Sequence, residues 1–298
     1  MENPLVSVVI PTYNRENQII RAIMSVLNQT YPHFEIIIVD DASTDQTVAL
    51  AKSIDDPRIE VVVLPANTRG TLPRNIGINR SNGKYIALLD SDDLWTPQKL
   101  EKQLDFIKDV DTERFLCFTD LLLFDDNSEM LKLNTPFSQT RDIMEYIFID
   151  DNCVQTSSFL LPNHLGKEVL FDSRVKKHQD WDFCLRLREA GAKFYHLAEP
   201  LVRHSIEDLA GKITTNNQYQ LSIWWGEKVE RRLSKDAFLA FQVRVLFQYN
   251  LLMGKRVTAF SKTFAAYRKK IVNKRRLLIN LTKCFLPSAV LRKMLGMK

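Results

Sequence analysis

Three carboxylates crowd into four positions of the stretch "YIALLDSDDLWTP": Asp90, Asp92 and Asp93 follow an apolar, strand-like run. Like charges this close repel, and each loses hydration as the chain enters the protein body. A hard divalent cation, Mg2+ or Mn2+, takes one or two carboxylates together with phosphate oxygens and turns that repulsion into attraction. The plainer alternative is a turn in which Asp92 and Asp93 lead into a helix at Thr96. Two more strand-like runs end in polar clusters, "VVIPTYNR" (8–15) and "IIIVDDASTD" (36–45), and together they favour a ligand site.

Those clusters need a scaffold that brings them to one edge. The runs "LVSVVI" (5–10), "FEIIIVD" (34–40), "RIEVVVL" (58–64) and "KYIALLD" (84–90) are apolar and rich in β-branched residues. They alternate with helix-like segments at 16–29, 43–54, 72–81 and 96–109. Nearly continuous apolar strands alternating with helices predict an α/β fold with a parallel sheet covered on both faces. Ligands of such sheets bind beyond the carboxyl ends of the strands, where all three clusters fall. A Ser or Thr cap is expected to open the 43–54 helix, with Thr96 as N-cap and Pro97 at the first helical position of the fourth. No GxGxxG follows the first strand and no GxxxxGK[ST] occurs, which excludes a dinucleotide dehydrogenase and a P-loop protein.

After residue 113 the pattern loosens. "RFLCFTDLLLF" supplies one or two strands, "SSFLL" (157–161) another, and "QDWDFCLRLREAG" (179–191) a helix closed by Gly191. "KFYHL" and "PLVRH" end this part near residue 205, and from about 215 onward only helices are expected, broken at Gly254 and Pro287. The chain therefore divides into a body, 1–205, and a helical basic region, 206–298.

With 298 residues, 45% hydrophobic and 26% charged, the composition is that of a globular protein with a buried core. Cys117, Cys153, Cys184 and Cys284 show no paired or zinc-type spacing, which suits a reducing compartment. Neither a secretory leader nor an apolar run of about 18 residues is evident, so a cytoplasmic protein is expected. The net charge of +5 hides an asymmetry: residues 237–298 hold 14 Lys or Arg and no acid, leaving 27 basic against 36 acidic residues in 1–236. A basic region on an acidic body points to an anionic partner.

The segments "VSVVIPTYNRENQIIRAIMSVLNQTY", "EIIIVDDASTDQT", "RGTLPRNIGINRSNGKYIALLDSDDLWTP" and "HQDWDFCLRLREAG" together resemble the family 2 glycosyltransferases over roughly residues 5–205. The resemblance implies the GT-A fold, a mostly parallel sheet with helices on both faces, and a nucleotide-diphosphate sugar donor, UDP foremost. It implies an inverting, metal-dependent transfer to a hydroxyl of a saccharide. Pro11, Thr12, Tyr13 and Arg15 would line the nucleotide pocket. Asp41 would accept a hydrogen bond from the base, with Asp40 its neighbour, and Arg74 would lie near the nucleotide. Asp90 and Ser91 would approach the ribose or sugar, and Asp92 would hold Mn2+ or Mg2+. Asp180 would be the catalytic base; its alternative is a simple helix cap. The family's usual Glu-Asp pair is here Gln179-Asp180, which loses a carboxylate and brings Asp182 forward as a weaker candidate.

His204, in "PLVRHS", is a further metal-ligand candidate, Trp95 and Trp181 would stack on sugar or pack in the core, and Arg69 and Arg203 would meet phosphate or face solvent. The segment 267–298 carries ten Lys or Arg among apolar residues. It suggests an amphipathic element at the inner face of the membrane; taken with the resemblance, it implies a lipid-linked saccharide acceptor in surface polysaccharide synthesis. Packing on the body or a second subunit is the alternative. Nucleic acid is set aside because Phe285 is the single aromatic residue in 268–298. Two rival functions remain: a sugar-phosphate nucleotidyltransferase, which would need a Gly-rich basic loop that "IPTYNRENQ" is not, and a non-catalytic sugar-nucleotide-binding protein.

Overall fold

The computed structural model describes residues 3–68, 71–125, 128–206, 216–287 and 290–291. Arg69 and residues 292–298 of the basic region fall outside them. The chain forms two compact units, Met1–Thr140 with Cys153–Glu207, and Arg141–Asn152 with Asp208–Lys298. The second unit thus takes in a segment expected within the first 205 residues.

The first unit is built on one sheet of nine strands: β1 (Val6–Thr12), β2 (Phe34–Asp40), β3 (Ile59–Val63), β4 (Tyr85–Leu88), β5 (Leu94–Trp95), β6 (Phe115–Phe124), β7 (Glu129–Lys132), β8 (Leu160–Pro162) and β9 (Lys193–Ser205). Their order is β3-β2-β1-β4-β8-β6-β9-β5, with β7 on β6. The first four strands pair in parallel, as their apolar runs predict. Beyond β4 the sheet is mixed: β8 runs antiparallel to β4 and β6, while β6 and β9 are parallel. "RFLCFTDLLLF" makes one ten-residue strand, and β9 absorbs Pro200 through a shift in its register against β6.

Helix α1 (Ile19–Leu27) buries Ile19, Ala22, Ile23 and Val26, the one-sided spacing of an amphipathic helix. Helix α2 (Thr47–Lys52) follows β2, and α3 (Leu72–Arg80) lies against the sheet so closely that a Cβ on Gly77 would sit 2.3 Å from Val9 Cγ1. Because β2 and β3 lie on one side of β1 and β4 lies on the other, β1 marks the point where strand order reverses. That is where open α/β sheets form their ligand crevice.

Two expected caps are replaced. α2 has no side-chain cap, and Asp45 instead accepts the Thr47 N–H at 3.0 Å. Helix α4 spans Lys99–Ile107 rather than starting at Thr96, because Leu94 and Trp95 pair with β9 and the Thr96 N–H continues that ladder to the Leu201 carbonyl. The first turn of α4 is capped from afar: Gln29 Oε1 accepts the Leu100 N–H at 3.0 Å. Helix α5 (Ile143–Phe148) belongs to the second unit; α6 (Asn163–Val169) and α7 (Gln179–Glu189) belong to the first. Gly191, at φ +79, closes α7 in the left-handed conformation that glycine adopts without strain.

In the second unit, α5 is joined by α8 (Asn216–Val229), α9 (Lys235–Arg244), α10 (Phe247–Leu252), α11 (Arg256–Arg268) and α12 (Lys274–Phe285). Phe148 packs edge-on against Phe241 with ring centres 5.6 Å apart, and Arg244 Nε donates to the Phe148 carbonyl at 2.6 Å. These bonds explain why Arg141–Asn152 groups with the helices. Gly254, at φ +72, separates α10 from α11, and α12 ends before Pro287. Among the described residues no helix is long and apolar enough to cross a membrane.

Candidate active site

The carboxyl ends of β1 and β2 lie side by side, Thr12 opposite Asp40. The loops that follow are laced together: Asn14 N–H donates to Ser43 Oγ at 2.8 Å, Arg15 N–H to Thr47 Oγ1 at 2.7 Å, and Thr44 N–H to Asn14 Oδ1 at 2.9 Å. Asp40 is buried, and both its oxygens are taken by Ser43, from Oγ at 2.5 Å and N–H at 2.7 Å. Asp40 therefore holds the turn. Asp41 beside it accepts the Thr68 N–H at 2.9 Å. Pro11 and Arg15 are half-buried, Thr12 is buried, and Tyr13 stands exposed at the rim.

After β4 the three acids part company. The Asp93 N–H donates to the Asp90 carbonyl, closing the turn. Asp93 is fully buried and collects four donors: His204 Nδ1 at 2.9 Å, the Ser205 N–H at 2.9 Å, Ser157 Oγ at 2.6 Å and Gln155 Nε2 at 3.1 Å. Asp90 accepts Arg74 Nη2 at 2.5 Å. Asp92 is half-exposed and faces Arg15 at 3.3 Å; burial, then Asp93 and Asp90, push its carboxyl above the usual range against the pull of Arg15. Ser91 between them is buried.

His204 is half-buried, and burial alone would lower its pKa; the bond to Asp93 and the charges of Asp93, Asp90 and Asp92 outweigh this and raise it to about 9. With Nδ1 held by a carboxylate, the ring is oriented as in a metal-binding histidine, and Nε2, protonated below about pH 9, would give up its proton to ligate a cation. Among the described residues no cluster of three or more ligating side chains is preassembled. The pair Asp92 and His204 suits a cation that takes few protein ligands and completes its shell with phosphate and water.

Asp180 is the second residue of α7, where the helix dipole favours a carboxylate, and its Oδ1 accepts the Trp181 N–H at 2.9 Å. Burial pushes its pKa up to about 6; Asp90 adds to the rise and Arg74 opposes it. Arg74 is the clasp between the two ends of the site, since Nη1 donates to Gln179 Oε1 at 2.7 Å while Nη2 holds Asp90. Asp182 is buried further along α7, so the candidate base that feels Asp90 and Arg74 is Asp180.

Several expected contacts resolve otherwise. Trp95 is buried and its Nε1–H donates to the Ser157 carbonyl at 2.8 Å, so it packs in the core and does not stack on a sugar. Trp181 stacks on the His178 ring at 4.3 Å. Arg203 pairs with Glu129 and lies over Phe124. Gln155 and Ser157 were not anticipated as supports of Asp93. Their one sequence signal is a polar interruption, "QTSS", ahead of an apolar run.

Residues 7–159 match the family model for glycosyl transferase family 2. The chain is 30% identical over 271 residues to the amylovoran biosynthesis glycosyltransferase AmsB of Erwinia amylovora, covering 88% of this chain and 89% of that protein. It is 35% identical over 208 residues to TuaG of Bacillus subtilis, named for teichuronic acid biosynthesis, covering 68% and 79%. The structure of S. aureus TarS 1-349 in complex with UDP-GlcNAc matches with a TM-score of 0.66 over 98% of this chain and 92% of that one, at 16% identity. Its sheet and covering helices are those of the GT-A fold. A family model spanning just over half the chain, and a relative matched along most of its length, carry the same assignment as the strand-end motifs: the chain belongs to glycosyl transferase family 2 and is a glycosyltransferase.

Proposed function

We propose that the protein transfers a sugar from a UDP-sugar to a hydroxyl of a lipid-linked saccharide, with inversion and with a divalent cation, in surface polysaccharide synthesis. The observation that carries it is the clasp at Arg74, which ties Gln179 at the start of α7 to Asp90 at the end of β4. It couples a buried carboxylate of raised pKa to the acidic strand end. Relatives named for amylovoran and teichuronic acid biosynthesis support a saccharide acceptor, and TarS in complex with UDP-GlcNAc supports a UDP-sugar donor.

On this reading Pro11, Thr12, Tyr13 and Arg15 line the nucleotide pocket and Asp41 receives the base. Arg74, Asp90 and Ser91 face the ribose and sugar. Asp92 and His204 would hold Mn2+ or Mg2+, which when bound would supply positive charge to the departing diphosphate. Asp180 takes the proton of the attacking hydroxyl at the opposite face of the sugar, so the displacement inverts the anomeric centre.

The test is release of nucleoside diphosphate by the purified protein from a panel of UDP-, GDP- and dTDP-sugars, with and without Mn2+. Metal-dependent release from one UDP-sugar, lost in Asp92→Ala, is expected. Pyrophosphate production from a nucleoside triphosphate and a sugar phosphate would instead make the protein a nucleotidyltransferase.

A further inference from the structure

The second unit carries an unusual surface. Among the described residues, nine of the 19 exposed large apolar side chains lie between Met253 and Val290. On α11, Val257 (83% exposed), Phe260, Phe264 and Tyr267 recur at the spacing of one helix face, opposite the buried Ala259, Thr263 and Ala266. Phe260 and Phe264 stack with rings nearly parallel. On α12, Leu277, Asn280 and Cys284 are buried while Leu278, Ile279 and Phe285 point outward. Both helices therefore satisfy an inner face; the outer side of α11 carries an apolar stripe, and that of α12 mixes Leu278, Ile279 and Phe285 with the exposed cations Lys274, Arg275 and Arg276.

Where α11 turns into α12, the apolar faces reach a basic cavity of about 580 Å3 lined by Arg244, Lys270, Arg275, Arg276 and Ile279. A shallower cavity that includes Tyr267 shares Lys270, Val272 and Asn273 with it, so the α11 stripe runs into the basic one. The two acids lining the larger cavity are already paired, Asp150 with Arg141 and Asp151 with Arg244. Lys270, Arg275 and Arg276 have no acidic partner among the described residues, and no acid occurs in the sequence after Asp236.

We propose that the outer faces of α11 and α12 form a docking surface for an anionic phospholipid bilayer, with the Lys270–Arg275–Arg276 cavity receiving a headgroup phosphate. This rests on the proposed lipid-linked acceptor and specifies where the membrane is met. Charge complementarity selects the occupant. Apolar side chains alone would suit a second copy of the chain, but three unpaired cations opening beside them disfavour a like-charged copy. They favour a surface that offers negative charge at its rim and hydrocarbon behind it.

The test is sedimentation of the full chain with phosphatidylcholine vesicles, with and without phosphatidylglycerol. Binding to the anionic vesicles, weakened by added salt, is expected. Lys270→Glu combined with Arg275→Glu and Arg276→Glu should weaken it at least about tenfold. Val257→Asp, at a position too exposed to affect folding, should weaken it independently. Neither variant should change donor hydrolysis in solution. Equal recovery with neutral and anionic vesicles, or unaltered binding by both variants, overturns the proposal even if donor turnover is intact. A dimer abolished by Val257→Asp, with no vesicle binding, would assign the face to a second copy and overturn it as well. Vesicle binding without donor turnover would leave this surface standing and remove the proposed reaction.

Discussion

His204 Nδ1 lies 2.9 Å from Asp93 Oδ1 although 111 residues separate them. The contact joins the last strand of the sheet to the acidic turn after β4, and it gives Asp93 a task that Asp90 and Asp92 do not share. One carboxylate of the triplet is the buried post on which the imidazole is mounted, while Asp90 and Asp92 face Arg74 and Arg15.

Replacing that post should be costly in two ways. Asp93→Asn leaves four donors facing a neutral amide, and turnover with Mn2+ should fall about 10- to 100-fold through misorientation of His204. Stability should also become less sensitive to pH. In the folded protein His204 is raised to about 9, so its contribution is complete below the unfolded value of about 6.5 and disappears as pH rises through about 9. Denaturant titration of the metal-free protein across that window should show wild type losing stability relative to Asp93→Asn. Parallel curves would remove the ion pair.

Asp180 must be ionised to accept a proton, and burial holds its pKa at about 6. The kcat/KM profile of the wild-type enzyme should therefore fall on the acid side with an apparent pKa near 6. Asp180→Asn should lose about 10²- to 10⁴-fold in transfer. Donor binding, measured by calorimetry, should survive. An acid limb that persists in Asp180→Asn would assign it to another group.

Gln179 is where a second carboxylate is missing. Its amide oxygen accepts from Arg74 at 2.7 Å, so Gln179→Glu would strengthen that bond while placing a negative charge next to Asp180. Like charge favours the protonated acid; the acid limb should move to higher pH, by about one unit. A merely structural role for Gln179 would change the rate without moving the limb.

Lys99 is fully buried, its Nζ 3.7 Å over the Trp95 ring, and burial pushes its pKa down to about 7. Its value when unfolded is about 10.4. The unfolded chain then binds the extra proton between those values, so the folded state is penalised most at and below pH 7 and the penalty fades toward pH 10. Lys99→Met should raise stability at neutral pH by about 1–4 kcal/mol, with the advantage over wild type shrinking as pH rises. Loss of stability at every pH would show that the contact with Trp95 outweighs desolvation.

The parallel half of the sheet was legible because its signal is local. Each strand from Val6 to Leu88 is a short apolar run, and α1 between the first two has a one-sided apolar pattern. Helix starts were less legible where a distant group serves as cap. Thr96 has the type and spacing of an N-cap, yet the cap of α4 comes from Gln29, 71 residues earlier, once β5 has drawn Leu94 and Trp95 into the sheet. Trp95 likewise has the look of a sugar platform beside an acidic motif, until the Ser157 carbonyl claims its indole N–H.

Residue types and their order along this chain determined that acids cluster after apolar strands, that acids open a late helix, and that no acid follows Asp236. These follow from chemistry carried within a dozen residues. Tertiary structure alone decided how the acids divide their tasks. Burial and hydrogen-bond partners set a carboxylate's state, and for Asp93 and Asp180 the nearest relevant groups include Ser157, His204, Asp90 and Arg74, all remote in sequence.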